Sequence, residues 1–364
     1  MSSLFLMRPR RLPDESLSSW RQRVGWANGY RLFPLRSGAL RRSDPDLGLH
    51  LEDLRWVAAT HGSTSADVTA MTFRGHAGAL VSDVESRKHP PWWLRSRYGS
   101  SERSHGAMFC PVCLATDKVP YFRLSWRLGF NTACEQHGVH FLDSCRRCGA
   151  APWPAACGGI EHLCSGFETL DRCWRCADRL SAQAASTPRV SATPAAWLRR
   201  ASLPAGLEHA PTTELLSALR AVCQLFVRTK TRRLLAATGA WQPLSDRCEQ
   251  EPMGANAVEH LPVLLRSSVI DAAVKLLDNW PEEFVQTSAA CGITRAHFCG
   301  ASHLHPIWME QVINSRLAKQ NRWVTQVDIR TAVADLRQQG LAVTKAAIRK
   351  RLAWQGDIEQ HWLN

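Results

Sequence analysis

Long apolar runs and a secretion signal are missing from this 364-residue sequence. No stretch approaches the ~18 consecutive apolar residues that a membrane-spanning helix needs. Near the start, only Leu4-Phe5-Leu6-Met7 is apolar. This run is too short for a signal peptide, and the charge of Arg8 follows it instead of preceding it. We therefore expect a cytoplasmic protein that does not associate with membranes.

The common catalytic motifs are missing as well. The sequence has no Walker A pattern, no Gly-x-Ser-x-Gly nucleophile elbow and no His-Glu-x-x-His motif. A dispersed carboxylate trio, as in a nuclease or transposase, leaves no such pattern, so this alternative stays open. We predict a protein that is not an enzyme.

Acidic residues are too few to balance the basic ones. Lysine and arginine total 45 against 32 aspartate and glutamate, which gives a formal net charge of +13. With 45% hydrophobic and 21% charged residues, the composition is that of a globular protein. The charge favours a polyanionic partner, and nucleic acid is the commonest one. The alternative is a basic surface without a specific partner.

Apolar periodicity and turn residues predict a mainly α-helical protein with a central metal-binding module of zinc ribbons or knuckles. The predicted regions are a helical N-terminal region (1–105), a double zinc-binding module (106–178), a linker rich in alanine, serine and proline (179–212), and a helical C-terminal domain (213–364).

Apolar residues at three- and four-residue spacing predict the individual helices. These cover residues 15–28, 51–61, 66–73, a short helix around Trp197, 215–226, 263–277, 329–339 and 344–352. Residues 51–73 contain a helix, a turn at Gly62 and a short helix, which is a weak helix-turn-helix pattern. Small helical domains often produce the same pattern without contacting DNA.

The cysteine-rich region contains four pairs of metal-binding residues, each with two residues between its members. The pairs are Cys110 and Cys113, Cys134 and His137, Cys145 and Cys148, and Cys173 and Cys176. This spacing forms a knuckle that holds both ligand atoms at one edge of a tetrahedron, and thiolate with imidazole suits Zn²⁺. Taken in order, the pairs predict two structural zinc ions, because no coordination position is left for a reactive water.

The ligand pairing has alternatives. A cross-braced arrangement would use alternate pairs, and Cys157, His162 or Cys164 could replace a ligand of the second site. A redox-active Cys-x-x-Cys is disfavoured, because no β-α-β pattern surrounds any pair. His105 and His140, which flank the first site, are expected to be surface or packing residues. The isolated cysteines, also expected to be packing residues, are Cys223, Cys248, Cys291 and Cys299.

A second candidate helix-turn-helix lies near the end of the chain. Thr344 can cap a helix whose inward face carries Ala347, Ile348 and Leu352. The basic residues left facing outwards or at the edge are Lys345, Arg349, Lys350 and Arg351. A recognition helix needs such residues to bind phosphates, and they are the predicted nucleic-acid contacts. A solvated basic face is the alternative.

Two stretches resemble a known family. The first is Leu12-Pro13-Asp14-Glu15-Ser16-Leu17-Ser18-Ser19-Trp20, and the second runs from Phe109-Cys110-Pro111-Val112-Cys113-Leu114 to Pro120-Tyr121-Phe122-Arg123-Leu124-Ser125-Trp126-Arg127. The pairs that follow, Cys134 with His137 and Cys145 with Cys148, continue the likeness. Together they resemble the TniQ family over about residues 10–176. The segment around Asp278-Asn279-Trp280-Pro281 is similar to the helical extensions of longer members.

The TniQ resemblance implies a role in transposition. TniQ and TnsD proteins select the target and link it to an AAA+ ATPase regulator, TnsC- or TniB-like, which recruits a DDE-type transposase. Some members bind DNA directly, and others attach as a dimer to a CRISPR guide-RNA complex. The resemblance thus implies a nucleoid-associated, bacterial target-selection adaptor, with homodimer formation as one arrangement and with zinc at the eight ligands above. An autonomous sequence-specific DNA-binding protein or transcriptional repressor is the alternative.

Overall fold

A computed structural model gives the structure of the protein. It describes residues 4–30, 44–80, 90–94, 106–152, 169–187, 194–199, 203–228, 257–298, 305–317, 326–338 and 340–352. Within these residues the protein is mainly α-helical and has one two-stranded sheet, which confirms the predicted fold class.

The helices are short and joined by many turns. In chain order they are α1 (Leu17–Ala27), α2 (Leu51–His61), α3 (Ser65–Thr69), α4 (Ala77–Leu80), α5 (Pro111–Thr116), α6 (Pro194–Trp197), α7 (Thr212–Val227), α8 (Val263–Leu277), α9 (Glu282–Ala290), α10 (Ile307–Arg316), α11 (Gln326–Gln338) and α12 (Lys345–Leu352). Strands β1 (Ala133–Cys134) and β2 (Val139–His140) pair antiparallel. No helix in the described parts of the chain has the length and apolar character needed to cross a bilayer.

Helices α1 to α3 enclose a small apolar core. Ser16 caps α1 by accepting a hydrogen bond from the amide of Ser19 at 3.3 Å. Gly62 ends α2 in the left-handed conformation, with φ at +62°. Thr64 and Asp67 form the capping box that begins α3. The buried apolar side chains of this core are Leu17, Trp20, Val24, Leu49, Val57, Ala58, Val68 and Met71.

Helix α3 is shorter than the predicted helix over 66–73. It ends at Thr69, and a 3-10 turn follows over Phe73–His76. The amide of Phe73 donates to the carbonyl of Asp46 at 2.7 Å. Because this donor binds an earlier loop, it is not available to extend the helix. Apolar periodicity gives no sign of such a competing acceptor.

The largest core joins distant parts of the chain. It packs α7 against α8, whose bounds agree with the predicted helix over 263–277. The indole of Trp92 donates to the carbonyl of Leu216 in α7 at 2.8 Å. The amide of Trp92 donates to the buried carboxylate of Glu259, which also accepts from Arg220. Residues as far apart as Phe73 and Leu317 therefore share one interior.

The segment 179–212, predicted as a linker, has buried residues that pack against other parts of the protein. Leu180 and Trp197 are buried, and the amide of Trp280 donates to the carbonyl of Ala205 at 3.0 Å. Widely spaced apolar residues anchor this segment to its neighbours. The boundaries of the four regions stay a prediction.

Helices α11 and α12 form a helix pair with its own small core. The buried residues of this core are Ile329, Ala332, Val333, Leu336 and Ile348. Gly340 lies in the connecting turn with φ at +67°. The hydroxyl of Thr344 accepts from the amide of Ala347 at 3.1 Å and so caps α12, as the sequence predicted.

Candidate metal centres

Cys110, Cys113, Cys134 and His137 converge to form what we call the first centre. One ligand atom from each lies within 4.8 Å of all the others. The Sγ–Nδ1 separations to His137 are 3.6, 3.3 and 3.5 Å in chain order, and the Sγ atoms of Cys113 and Cys134 lie 3.6 Å apart. The edges of a tetrahedron around zinc, with bonds of 2.0–2.3 Å, measure roughly 3.3–3.8 Å. This donor set therefore fits one tetrahedral zinc ion.

Two tight turns position the ligands of the first centre. Cys110 is the N-cap of α5, and its sulfur accepts from the amide of Cys113 at 3.4 Å. Pro111 occupies the first helical position, where no amide donor is needed. Cys134 lies at the end of β1, and the amide of Gly138 closes the turn on its carbonyl at 2.8 Å. Gly138 has φ at +61°, a conformation that favours glycine.

Cys145, Cys148, Cys173 and Cys176 converge in the same way and form the second centre. The Sγ atoms of Cys145 and Cys176 lie 3.7 Å apart, and those of Cys148 and Cys173 lie 3.6 Å apart. Both separations match a zinc tetrahedron. The structure therefore groups the eight residues in sequential order and not in the cross-braced arrangement.

The two knuckles of the second centre share one backbone design. The amide of Gly149 donates to the carbonyl of Cys145 at 2.8 Å, and the amide of Ala177 donates to that of Cys173 at 2.9 Å. Gly149 and Ala177 both have left-handed backbones, with φ at +71° and +62°. The same turn thus places each pair of sulfurs on one edge of the site.

Gln183 supports the second centre from outside. Its side-chain amide donates to the sulfur of Cys145 at 3.3 Å, and its carbonyl accepts from the amide of Arg146 at 3.1 Å. A donor to a ligating thiolate stabilises its charge and fixes its direction. Sequence reasoning missed Gln183, because it lies 38 positions from Cys145 and outside every ligand pair.

The close thiols change each other's pKa values. Contacts with Cys110 and Cys134 raise the pKa of the Cys113 thiol, whereas hydrogen bonds from Cys110 and Cys113 lower the pKa of Cys134 far below its usual range. Burial opposes ionisation of Cys145, but hydrogen bonds from the Cys148 backbone and from Gln183 lower its pKa to about 7. Each centre thus already favours a thiolate, which a cation can bind in place of the thiol protons.

The two stretches that carry the family resemblance meet in space. The amide of Ser16 donates to the carbonyl of Phe122 at 3.0 Å, and the amide of Leu124 donates to that of Asp14 at 2.7 Å. The amide of Phe122 also donates to the hydroxyl of Ser19 at 3.0 Å. One stretch therefore binds the other through main-chain contacts, which the sequence alone did not indicate.

A buried ion pair fixes the same junction. Arg127 contacts both Asp44 and Asp46, the latter at 2.8 Å. Asp46 also accepts from the hydroxyl of Ser18 in α1 at 2.7 Å. Burial raises the pKa of Asp46, and the guanidinium of Arg127 opposes that rise. These charged residues hold the N-terminal helices to the first centre's module.

A family comparison covers this junction. The family model TniQ matches residues 6–141, which contain both stretches and all four ligands of the first centre. Residues 6–141 therefore match a TniQ domain, which supports a TniQ family transposition protein. The match supports a transposition-associated protein, and it indicates no enzyme family. No curated protein matches the chain.

The TniQ match ends just before the second centre. Its last residue is 141, at the end of the hairpin of the first centre, and the second centre begins at Cys145. The match thus covers less than the resemblance over residues 10–176. The second centre has the same kind of closed, four-ligand geometry without being part of the matched TniQ domain.

The other cysteines and histidines named in the sequence are placed only in part. Cys223 and Cys291 are buried in the largest core. His140 is buried in β2. The residues that lie outside the described part of the chain are His105, Cys157, His162, Cys164, Cys248 and Cys299.

The predicted nucleic-acid contacts lie on one helix, α12. Lys345 and Arg349 are half-buried, and Arg351 is exposed. The side chain of Lys350 lies outside the described part. Contact of this helix with nucleic acid, and its helix-turn-helix role, stay predictions.

Proposed function

We propose that this TniQ protein is a non-catalytic target-selection adaptor for transposition. It links target DNA, or a CRISPR guide-RNA complex, to an AAA+ ATPase regulator and through it to a transposase. The observation that carries the proposal is the TniQ match over residues 6–141. The excess of basic residues, with a net charge of +13, supports binding to nucleic acid.

We propose that each centre holds one structural zinc ion. Zinc supplies a crosslink there, because four protein ligands leave no coordination position for a water nucleophile. In the first centre, the ligands tie α5 to the β1–β2 hairpin; in the second, they tie two knuckles together. The result is a rigid module that holds both the N-terminal helices, through Arg127, and the C-terminal helices.

Rigid positioning is the mechanism that we assign to the adaptor. Asp143, between the two centres, accepts the amide of Val263 at the start of α8 at 2.7 Å. Ser16 and Phe122 join α1 to the same module. The surfaces of α1 and α8 are thereby held at a fixed separation. An adaptor needs such fixed surfaces to position the ATPase relative to its target.

The experiment is reconstitution with the cognate regulator. Purified protein is bound to immobilised target DNA or guide-RNA complex, and recruitment of the ATPase and transposase is measured with and without it. We expect recruitment only when the protein is present. Equal recruitment in its absence would reject the adaptor role. Fewer than two zinc ions per chain, after purification without added metal, would reject the two-site arrangement.

A second candidate function is sequence-specific DNA binding without an ATPase partner. The observation that favours it is the separate helix pair α11–α12, with its capped second helix bearing Lys345, Arg349 and Arg351. Binding of the isolated protein to a pool of random duplexes, followed over a salt series, separates the two functions. Enrichment of one sequence supports this candidate, whereas weak binding without preference supports the adaptor.

A further inference from the structure

The tips of the second centre are strongly basic. Arg146 and Arg147 occupy the two inner positions of one knuckle, Arg175 occupies the second inner position of the other, and Arg179 follows that knuckle. All four side chains are exposed, and we call them the knuckle arginines. Each lies within three residues of a ligand, so its Cα lies within about 11 Å of a ligand Cα. Four positive charges are therefore gathered around one metal centre.

The knuckle geometry does not require these arginines. The first centre is built from pairs with the same spacing, and its inner positions hold Pro111, Val112, Glu135 and Gln136. None of these four is a cation. Glu135 is even acidic, and it pairs with Arg199 at 2.6 Å. Two centres of like design in one chain thus differ in the charge of their tips, which indicates a role for the arginines other than folding.

Nearby acidic groups offset little of this charge. In residues 145–152 and 169–187 the acidic residues are Asp171 and Asp178. Asp171 accepts from the hydroxyls of Thr169 and Ser181. Asp178 accepts from Gln183 and lies 3.7 Å from Arg147, a contact weakened by the 69% exposure of the arginine side chain.

The metal centre itself must be counted. A zinc ion with four thiolates has a net charge of −2, which offsets two of the four arginine charges. The guanidinium groups are exposed, so the remaining positive charge is accessible to a partner. A planar guanidinium group can donate two parallel hydrogen bonds to phosphate oxygens. Exposed arginines that flank a rigid turn lose little conformational freedom of the backbone when they bind.

We propose that the knuckle arginines bind the phosphate backbone of duplex DNA. This inference rests on the proposed function only in taking DNA as the nucleic acid on which a transposition protein acts. The surface is distinct from α12, and its contacts carry no base specificity. It would hold the adaptor to DNA on either side of a recognised target, at the module that also fixes the orientation of the N-terminal helices.

The test measures binding of the full chain to a labelled duplex of arbitrary sequence over a salt series. For Arg146→Ala/Arg147→Ala/Arg175→Ala we expect binding at least about tenfold weaker at moderate salt, and a slope of log affinity against log salt that is smaller by about 2 to 3. Replacement of the same residues by lysine should restore most of the slope, because lysine also neutralises phosphate.

The matched control removes the same charge elsewhere, as Arg10→Ala/Arg55→Ala/Lys118→Ala, at exposed positions in other parts of the chain. We expect a smaller loss of slope in this control, and two zinc ions per chain in every variant. Equal loss in both triple variants, or unchanged binding in the knuckle variant, would overturn the proposal. So would loss of zinc in the knuckle variant, which would assign the arginines to neutralising the metal centre.

The same assay also tests whether the partner is DNA or RNA. A duplex RNA of matched length is compared in the same series, and a loss of slope confined to RNA would overturn the choice of DNA. Failure of the adaptor role would appear differently, as wild-type protein that binds DNA through the knuckle arginines but recruits no ATPase.

Discussion

Among single residues, Asp143 has the clearest energetic role, because it caps a helix 120 positions away. Pro262 precedes α8 and offers no side-chain acceptor for the first amides of the helix. The carboxylate of Asp143 supplies that acceptor and lies near the fully buried guanidinium of Arg266. Burial lowers the pKa of Arg266 to about 10, and Asp143 opposes this shift.

Substitution of Asp143 by alanine should lower the free energy of unfolding by about 1–2 kcal/mol through the lost cap, and by more because the buried charge of Arg266 keeps only Glu259 of its two acidic neighbours. Asp143→Asn keeps an acceptor and should lose less. Urea unfolding followed by circular dichroism measures both variants. Equal stability of the alanine variant and the wild type would show that the cap contributes nothing.

His61 provides a pH-dependent contribution to stability. It is buried between Trp20 and Phe5, with ring centroids at 4.7 and 5.2 Å, and its Nδ1 contacts the carbonyl of Val57. Burial, together with a smaller effect of the charge of Arg21, lowers the pKa of His61 from 6.5 to about 4. The unfolded chain therefore binds a proton at a higher pH than the folded protein does.

The sign of the effect follows from that order of pKa values. Stability from neutral His61 is complete above pH 6.5 and is lost as pH falls towards 4. Between pH 7 and 5, the free energy of unfolding of the wild type should fall by about 2 kcal/mol more than that of His61→Asn. Denaturant unfolding at both pH values tests this; equal falls would show that His61 keeps its ordinary pKa when folded.

The sequence could indicate which residues form the centres, but not which residues support them. The spacing of two residues within each ligand pair identifies all eight converging side chains, because one tight turn places both ligands of a pair. Asp143 and Gln183 act over 120 and 38 positions. No local pattern encodes such a pairing. The residues next to Asp143 or Gln183 in the sequence do not identify the distant group that each one binds.

At the scale of elements, the two centres crosslink different segments. The second centre ties residues 145–148 to 173–176, and no helix longer than a turn holds these segments in the described residues. Its stability must therefore depend on the metal to a larger extent than that of α7 and α8, which bury an extended apolar face.

Loss of one ligand should remove one zinc ion. Cys148→Ser is expected to bind about one zinc per chain, because oxygen replaces a thiolate in a four-ligand site. Cys223→Ala, at a cysteine buried in α7 away from both centres, should keep two. Metal analysis of both purified variants measures this. Two zinc ions in Cys148→Ser would remove Cys148 from the ligand set.

Helix bounds were predicted correctly where the apolar pattern extended over many residues. They were wrong where a backbone amide binds an acceptor in another segment. Helices α2 and α8 have the predicted bounds. Helix α3 ends early because the amide of Phe73 binds Asp46. Periodicity reports which face is buried, and it contains no information about acceptors in other segments.

For the whole molecule, the separate core of α11 and α12 predicts a separable unit. The residues of that core come from these two helices. A chain ending at residue 317 should keep its metal content and its main unfolding transition within experimental error. Scanning calorimetry and metal analysis of this shortened chain test the expectation. A marked fall in its transition temperature would show that the pair supports the rest of the fold.

The organisation of the whole molecule was the least predictable level. The four predicted regions follow composition, but Trp92, Leu216 and Glu259 meet in one interior. Composition changes along the chain locate changes of local structure. They do not report contacts between segments, because apolar side chains from any region can fill the same core.

The contact between Ser16 and Phe122 has a consequence for the order of events during synthesis. Helix α1 emerges from the ribosome long before its main-chain partner exists, since 106 residues separate Ser16 and Phe122. At about 5–20 residues per second, the N-terminal segment waits roughly 5–20 seconds for that partner to be made. During this interval the groups of Ser16 and Ser19 that later bind Phe122 are open to chaperones, and their docking requires that translation has passed the first knuckle of the first centre.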